Sequence, residues 1–344
     1  ATDLPENISL ITSGDIEIAR LVISSVSPSH QDNGVEIFRV WKKTVIERRS
    51  QYREELAPAA IPKESRIRRP GPLRVLYVSN ASAFSGAEDS LCQLVASLDR
   101  TRFEPLALIG MRGVLTERLE QAGAKVFSPE RDFAIGSVDN LFYLLTTFRS
   151  IQPDIVHFNS ACGVVSLFVS ILLDIPVVQH LRSAELHDYV EQLRSADLLI
   201  AVSEFVKREA LRYDIPKDKV RVVFNGIDTD YFTQTRLNKS EIRRDLGLKL
   251  DAKVVLTIAR FTPNKRHDLM LKAAEIIKKS IPLFHLVFVG EVYKTVEYYE
   301  AIRASVVSKG LAKAVTFLGF QRDIRIIEGA ADVVVLCSDR EPLG

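Results

Sequence analysis

Cysteine is scarce in this sequence. Cys92, Cys162 and Cys337 are odd in number, lie far apart among apolar neighbours, and form no CxxC pair. That pattern argues against a disulfide scaffold or a thiolate metal site, and it reads as free thiols in a reducing compartment. Long apolar runs are also missing. Leu167 to Leu173 is apolar but closed by Asp174 and Pro176, well short of the ~20 residues that span a bilayer. The given residues hold no signal-peptide pattern. Charge of one sign is not in excess: 46 Lys and Arg against 44 Asp and Glu leave +2. There is thus no global field that would recruit nucleic acid or an anionic membrane.

What is present is core-forming material. Hydrophobic residues make up 47% of 344 residues, enough for two domains. Residues 1–70 differ from the rest. Ile8 to Thr12 and Leu21 to Val26 read as short strands, and Val35 to Leu56 as a charged helix with Phe38, Trp41, Val45 and Ile46 on one face. Pro58 to Pro62 and the basic run Lys63 to Pro70 have linker composition. This segment is an extension of unknown role.

From Leu73 a strand–loop–helix unit repeats. Predicted strands are Leu73 to Val78, Pro105 to Ile109, Lys125 to Phe127, Ile155 to Phe158, Val177 to His180, Leu198 to Val202 and Val220 to Phe224. Asn225-Gly226 and Asp228 form a turn, and Lys239 to Leu250 a connecting helix. A second series follows, with strands Val254 to Ile258, His285 to Val289, Val315 to Leu318 and a buried Val333 to Leu336. Its helices lie near Asp268 to Ser280, Thr295 to Lys309 and Ile324 to Ala330. Such alternation predicts an α/β chain of two tandem Rossmann-like domains facing a cleft, 71–235 and 236–344, with ligands at the carboxyl ends of the strands. The sequence begins at Ala1 and stops at Gly344 directly after a strand pattern. An incomplete second domain is therefore expected.

One stretch stands out. The run Val254 to Ala259 is followed by Arg260, a Pro263-Asn264 break, Lys265 and a helix. Two cations flank a loop that leads into a helix N-terminus, where backbone amides lack partners and carry partial positive charge. That combination suits a phosphate or diphosphate.

Ordered short motifs then add up. They are Ser85-Gly86-Ala87-Glu88, Pro153 to His157, Pro176 to His180, Ala201 to Glu204, Val222 to Asp228, Ala259-Arg260 through Lys265, Phe288-Val289-Gly290, Val315 to Gly319, Ala331 to Val334 and Glu341-Pro342-Leu343-Gly344. Together, over residues 73–344, they resemble the GT4-like, retaining glycosyltransferases of the GT-B fold (glycosyl transferases group 1). The resemblance implies a nucleoside-diphosphate sugar, UDP- or GDP-linked, as co-substrate, and no cofactor. It implies Arg260 and Lys265 on the donor diphosphate with Gly344 beside it, Glu341 on a donor-sugar hydroxyl, and Gly290 in the donor loop. Gly86, Ala87 and Arg182 are implied at an acceptor or phosphate loop, and His180 near the reacting sugar, with Glu341 and His180 as the catalytic pair. His157 reads as packing.

Departures from the family pattern are single Gly86 after Ser85, Glu291-Val292 after Gly290, and a second motif glutamate that would lie beyond Gly344. No DxD-type pair stands where a metal would hold the diphosphate, so none is expected. The resemblance further implies transfer with retention, a saccharide, lipid-linked or small-molecule acceptor read by Arg102 to Asp139, and polysaccharide biosynthesis as setting. It places the protein in the cytoplasm, with peripheral contact at the inner membrane face. Two other readings remain open on the same fold: a sugar-nucleotide epimerase, and a non-catalytic sugar-nucleotide-binding protein.

Overall fold

The computed structural model describes residues 70–80, 84–133, 138–160, 163–233, 238–292, 295–321 and 323–343. The strands, helix and linker expected before residue 70 lie outside the described residues, as do Cys162 and Gly344. The described chain forms two compact units, one up to Gly226 and one from Ile227.

In the first unit the elements run β1 (Leu73–Ser79), α1 (Gly86–Ala96), β2 (Phe103–Ile109), α2 (Val114–Gln121), β3 (Lys125–Phe127), α3 (Val138–Ile151), β4 (Ile155–Asn159), α4 (Val164–Leu172), β5 (Val177–Leu181), α5 (Val190–Ser195), β6 (Leu198–Ala201), α6 (Glu204–Leu211) and β7 (Val220–Val222). The strands pair in parallel in the order β3-β2-β1-β4-β5-β6-β7. β1 is buried from Val75 to Ser79, as expected of a parallel strand covered on both faces. Its side chains alternate between two cores. Val75 and Tyr77 pack with Leu91, Val95 and Leu119 of α1 and α2. Leu76 and Val78 pack on the other face with Leu144, Phe148, Phe158 and Phe168. Each such side chain contributes about 1.5–3 kcal/mol by leaving water.

The strand order fixes where a ligand would sit. β2 lies on one side of β1 and β4 on the other, so the topology reverses between β1 and β4. At such a switch point the following loops splay apart and leave a crevice at the carboxyl ends.

The second unit contains α7 (Thr229–Thr233), α8 (Lys239–Asp245), β8 (Lys253–Ile258), α9 (His267–Ser280), β9 (Phe284–Val289), α10 (Val296–Ser308), β10 (Val315–Phe317), α11 (Ile324–Ala330) and β11 (Val333–Val334). Its parallel sheet has the order β10-β9-β8-β11. Leu286 and Phe288 face a core with Phe261, Met270 and Leu271. Val287 and Val289 face a second one with Ile242, Val254, Leu256 and Ile327. Asp332 ties the layers together. Its carboxylate accepts from the Val254 amide and from the buried Arg243 guanidinium, both at 2.8 Å, and pairs with Lys239 at 2.7 Å. These contacts hold the Asp332 carboxyl well below its usual range against the cost of burial.

Three expectations are corrected. β7 stops at Val222: the Val223 amide still donates to the Ala201 carbonyl at 3.0 Å, but Val223 and Phe224 are more than half exposed and lie beyond the strand. The connecting helix α8 stops at Asp245, not Leu250. Gly247 takes φ 67° just beyond the helix, and the Leu248 amide closes back on the Arg243 carbonyl at 2.7 Å, as in a left-handed helix terminator. β11 is two residues long and half exposed, not a buried strand to Leu336, because it lies at the sheet edge and pairs with β8 alone. Among the described residues no helix is long and apolar enough to cross a membrane.

Candidate active site

The loop after β1 enters α1 through Ser85, the residue before its first turn. The Glu88 carboxylate accepts from the Ser85 amide at 3.0 Å and from Ser85 Oγ at 2.5 Å, a reciprocal cap that fixes the loop. Gly86 opens the helix, and a Cβ built there would meet nothing within 4 Å. The space in front of the backbone is therefore open.

The ends of β4 and β5 converge on this loop. Asn159, buried at the last position of β4, donates from Nδ2 to the Ala87 carbonyl at 3.3 Å. Arg182, one residue past β5, donates from Nε to Asn159 Oδ1 at 2.5 Å and from Nη1 to Asn225 Oδ1 at 3.0 Å. A guanidinium is thereby oriented at the strand ends by two side-chain amides. In register with Asn159 stands His180. Its Nδ1 lies 3.2 Å from Nε2 of His157, in the adjacent strand. Both rings are buried, and His157 also packs against Tyr77 with centroids 5.0 Å apart. Burial first, then the Arg182 charge, push both imidazoles far below the usual histidine range, so each is neutral at pH 7.

The structure thus gathers Gly86, Ala87, His180 and Arg182 at one end of the first sheet. It also brings in Asn159, one residue past the expected strand Ile155 to Phe158, and Asn225, expected only as a turn residue. His157 is more than packing, since it is hydrogen-bonded to His180. The signal available was a polar residue closing an apolar strand, as Asn159 closes β4 and His180 nearly closes β5.

In the second unit β8 gives way to Arg260, which is exposed and has no ion pair among the described residues. The loop then turns at Pro263, and Arg266 adopts a left-handed conformation, φ 53°, before α9. Three contacts fasten this loop to residues 339–341. Arg266 pairs with Asp339 at 2.6 Å, the Asp339 amide donates to the Asn264 carbonyl at 3.0 Å, and Lys265 Nζ meets Glu341 Oε1 at 2.5 Å. The Lys265 and Glu341 side chains are about four-fifths buried. The helix N-terminus is less open than expected, because the His267 amide already donates to the Tyr298 hydroxyl at 3.1 Å.

Gly290 follows β9, and its role is set by the backbone. A Cβ there would lie 1.9 Å from the Ala259 carbonyl oxygen. Only glycine lets the ends of β8 and β9 approach this closely while Phe261 and Glu291 exchange a backbone hydrogen bond of 3.0 Å. His267, under the same loop, is fully buried and stacked on Phe261 with centroids 4.4 Å apart. The Ala259 backbone is its polar neighbour, and burial, outweighing that contact, lowers its pKa to about 4. No group of three His, Cys, Asp or Glu side chains suited to a metal occurs among the described residues.

Two parallel α/β units in tandem are the layout of the GT-B class of sugar-transferring folds. The family models agree. Residues 84–231 match Glycosyltransferase Family 4, and residues 238–344 match Glycosyl transferases group 1. The chain belongs to the GT4-like glycosyltransferases, a group of transferase enzymes.

Among relatives, an uncharacterized glycosyltransferase of Methanocaldococcus jannaschii is 28% identical over 46% of this chain and 40% of its own length. The UDP-Gal:alpha-D-GlcNAc-diphosphoundecaprenol alpha-1,3-galactosyltransferase of Escherichia coli is 25% identical over 77% of this chain and 73% of its own length. The chain thus spans about two fifths of the archaeal relative and nearly three quarters of the bacterial one. The Anabaena protein HepE, solved with UDP and glucose, shares the fold with a TM-score of 0.66 and 23% identity, over 79% of this chain and 76% of that one.

Proposed function

We propose that this protein transfers a sugar from a nucleoside-diphosphate sugar, a UDP- or GDP-sugar, to a saccharide-bearing acceptor. The observation that carries this reading is the loop after β8. Exposed Arg260 and the largely buried Lys265 sit on it, and Glu341 is held against Lys265. In the proposed reaction the bond from the anomeric carbon to the diphosphate oxygen breaks as the acceptor oxygen bonds to that carbon. Negative charge then grows on the leaving diphosphate. Two cations that meet that charge stabilise it more in the transition state than in the ground state. Arg260 and Lys265 take that role in place of a metal; Gly344, which the family resemblance adds to the diphosphate contacts, lies outside the described residues. Glu341 holds a hydroxyl of the donor sugar, and Gly290 shapes the donor loop.

Residues 71–235 take the acceptor in this reading, and 236–344 the donor. Gly86 and Ala87 leave room for a ligand beside the backbone. Arg182 offers a cation to an anionic acceptor, and His180 a neutral imidazole to a sugar hydroxyl. Retention follows if the acceptor attacks from the leaving-group side and gives its proton to the departing phosphate. The name of the Escherichia coli relative includes a diphosphoundecaprenol acceptor. We carry a lipid-linked saccharide diphosphate over to this chain as the expected acceptor class, met at the cytoplasmic face of a membrane.

Product analysis tests the proposal. Incubation with UDP-galactose and a polyprenyl-diphosphate-linked N-acetylglucosamine should yield a longer lipid-linked saccharide with the anomeric configuration of the donor. Release of a free sugar or an epimer without acceptor would replace this reading with the epimerase.

A further inference from the structure

A second histidine stands against His180. His157 Nε2 and His180 Nδ1 are 3.2 Å apart on the adjacent strands β4 and β5. Both rings are at least nine-tenths buried. Two imidazoles facing nitrogen to nitrogen in a dry site repel if both present lone pairs or both present protons. A hydrogen bond forms only when one nitrogen is protonated and the other is not. The proton held on this line therefore fixes both rings together, because a neutral imidazole carries its single proton on one nitrogen or the other.

His180 Nε2 points away from this contact. It is buried and has no hydrogen-bond partner among the described residues. A buried ring nitrogen without a partner pays a desolvation cost. That cost is recovered when a ligand group reaches it. Its neighbours are suited to a polar ligand: the amide of Asn159 lies in register on β4, and Arg182 follows two residues on.

We propose that His157 is a positioning residue, which holds His180 in one neutral tautomer and one ring orientation so that His180 Nε2 meets a sugar hydroxyl of the substrate. The proposal rests on reading the first unit's strand ends as a substrate site. Its physical core, the shared proton, does not. His157 touches no substrate and acts through His180, as the outer partner of a ligating histidine does. Tyr77 packs against the His157 ring and limits its rotation.

The test uses the full chain with ¹⁵N-labelled histidine, and the His180 resonances are assigned by their loss in His180→Gln. In the wild type, His180 should show one protonated and one unprotonated nitrogen, the signature of a single tautomer. In His157→Phe the two shifts should move toward a common average. His157→Gln, which keeps a hydrogen-bonding group facing His180, should restore most of the separation. UDP release from UDP-galactose should fall about tenfold or more in kcat for His157→Phe, with KM for the nucleotide sugar within about twofold, and recover in part in His157→Gln. Averaged His180 shifts in the wild type, or unchanged separation in His157→Phe, would overturn the proposal. So would equal kcat losses in both variants, which mark a purely structural role. The tautomer measurement needs no substrate, so a failure of the transferase reading and a failure of this inference are told apart.

Discussion

Lys265 Nζ lies 2.5 Å from Glu341 Oε1, joining two positions 76 residues apart in the sequence. A carboxylate held this close satisfies the lysine that the donor diphosphate would otherwise claim. The two anions compete for one ammonium. In Glu341→Gln the competition is relaxed and, in the proposed reaction, the sugar loses its hydroxyl partner. Binding of UDP alone should hold or tighten, while sugar transfer falls about 10²-fold, in line with removal of one transition-state contact. Calorimetry with UDP, beside kcat for the same variant, reads the two effects separately. Weaker UDP binding together with unchanged kcat would contradict the assignment of both residues.

Arg260 gives the complementary case. It is exposed and has no ion pair among the described residues, so the fold does not depend on it. Arg260→Ala should leave stability within about 0.5 kcal/mol. A charge-assisted contact to a phosphate is worth about 1.5–3 kcal/mol, so nucleotide affinity should drop about 10- to 100-fold. A thermal melt and a titration on the same preparation check this. A variant that unfolds early but binds UDP normally would show Arg260 to be structural.

Gly290 is predicted to fail in the opposite way. Since an added Cβ would sit 1.9 Å from the Ala259 carbonyl, Gly290→Ala must push the ends of β8 and β9 apart. The expected loss is about 3 kcal/mol or more, the upper range for overpacking, seen as an earlier urea transition. Nucleotide binding should be lost with the fold. Full stability in this variant would remove the backbone explanation for the glycine.

Acid should weaken the protein through its buried histidines. Burial lowers the His267 pKa to about 4, whereas an unfolded histidine titrates near 6.5. Between these values the unfolded chain binds the proton and the folded one does not, so stability is full above about pH 6.5 and declines as pH falls toward 4. The slope is on the order of 1 kcal/mol per pH unit for each such histidine. His157 and His180, shifted in the same direction, extend the loss further into acid. Urea titrations at pH 7, 5.5 and 4.5 should show this decline, and His267→Phe should flatten part of it. A slope unaffected by that substitution would place the acid sensitivity elsewhere.

The apolar runs made most of the fold legible. Val75 to Val78 and Leu286 to Val289 are buried on both faces, so their sequence declares a parallel strand without ambiguity. Val223, Phe224 and Val333 to Leu336 carry the same signal but not the same burial, because strand ends and a sheet edge are defined by neighbours that a local pattern does not contain. Among candidate site residues, the loop that carries Arg260 and Lys265 was legible from the end of an apolar run and a Pro263-Asn264 break. The pairing of Lys265 with Glu341 was not, since nothing local ties residue 265 to residue 341. Asn159 and Asn225 escaped notice for the same reason: a side-chain amide becomes a site residue only when an arginine from another strand end lands on it. His157 was read as packing because a buried histidine usually is, and its partner emerged only when the register of β4 and β5 was known.

The central claim is that the loop from Arg260 to Lys265 binds the diphosphate of a sugar nucleotide. Its most direct measurement is a thermal-shift panel of uridine, guanosine and adenosine diphosphate sugars on the wild type, Arg260→Ala and Lys265→Ala. One nucleotide class, UDP- or GDP-linked, should stabilise the wild type, and the stabilisation should disappear in both variants. A folded wild-type protein that no sugar nucleotide stabilises, or stabilisation that survives in both variants, would contradict that claim.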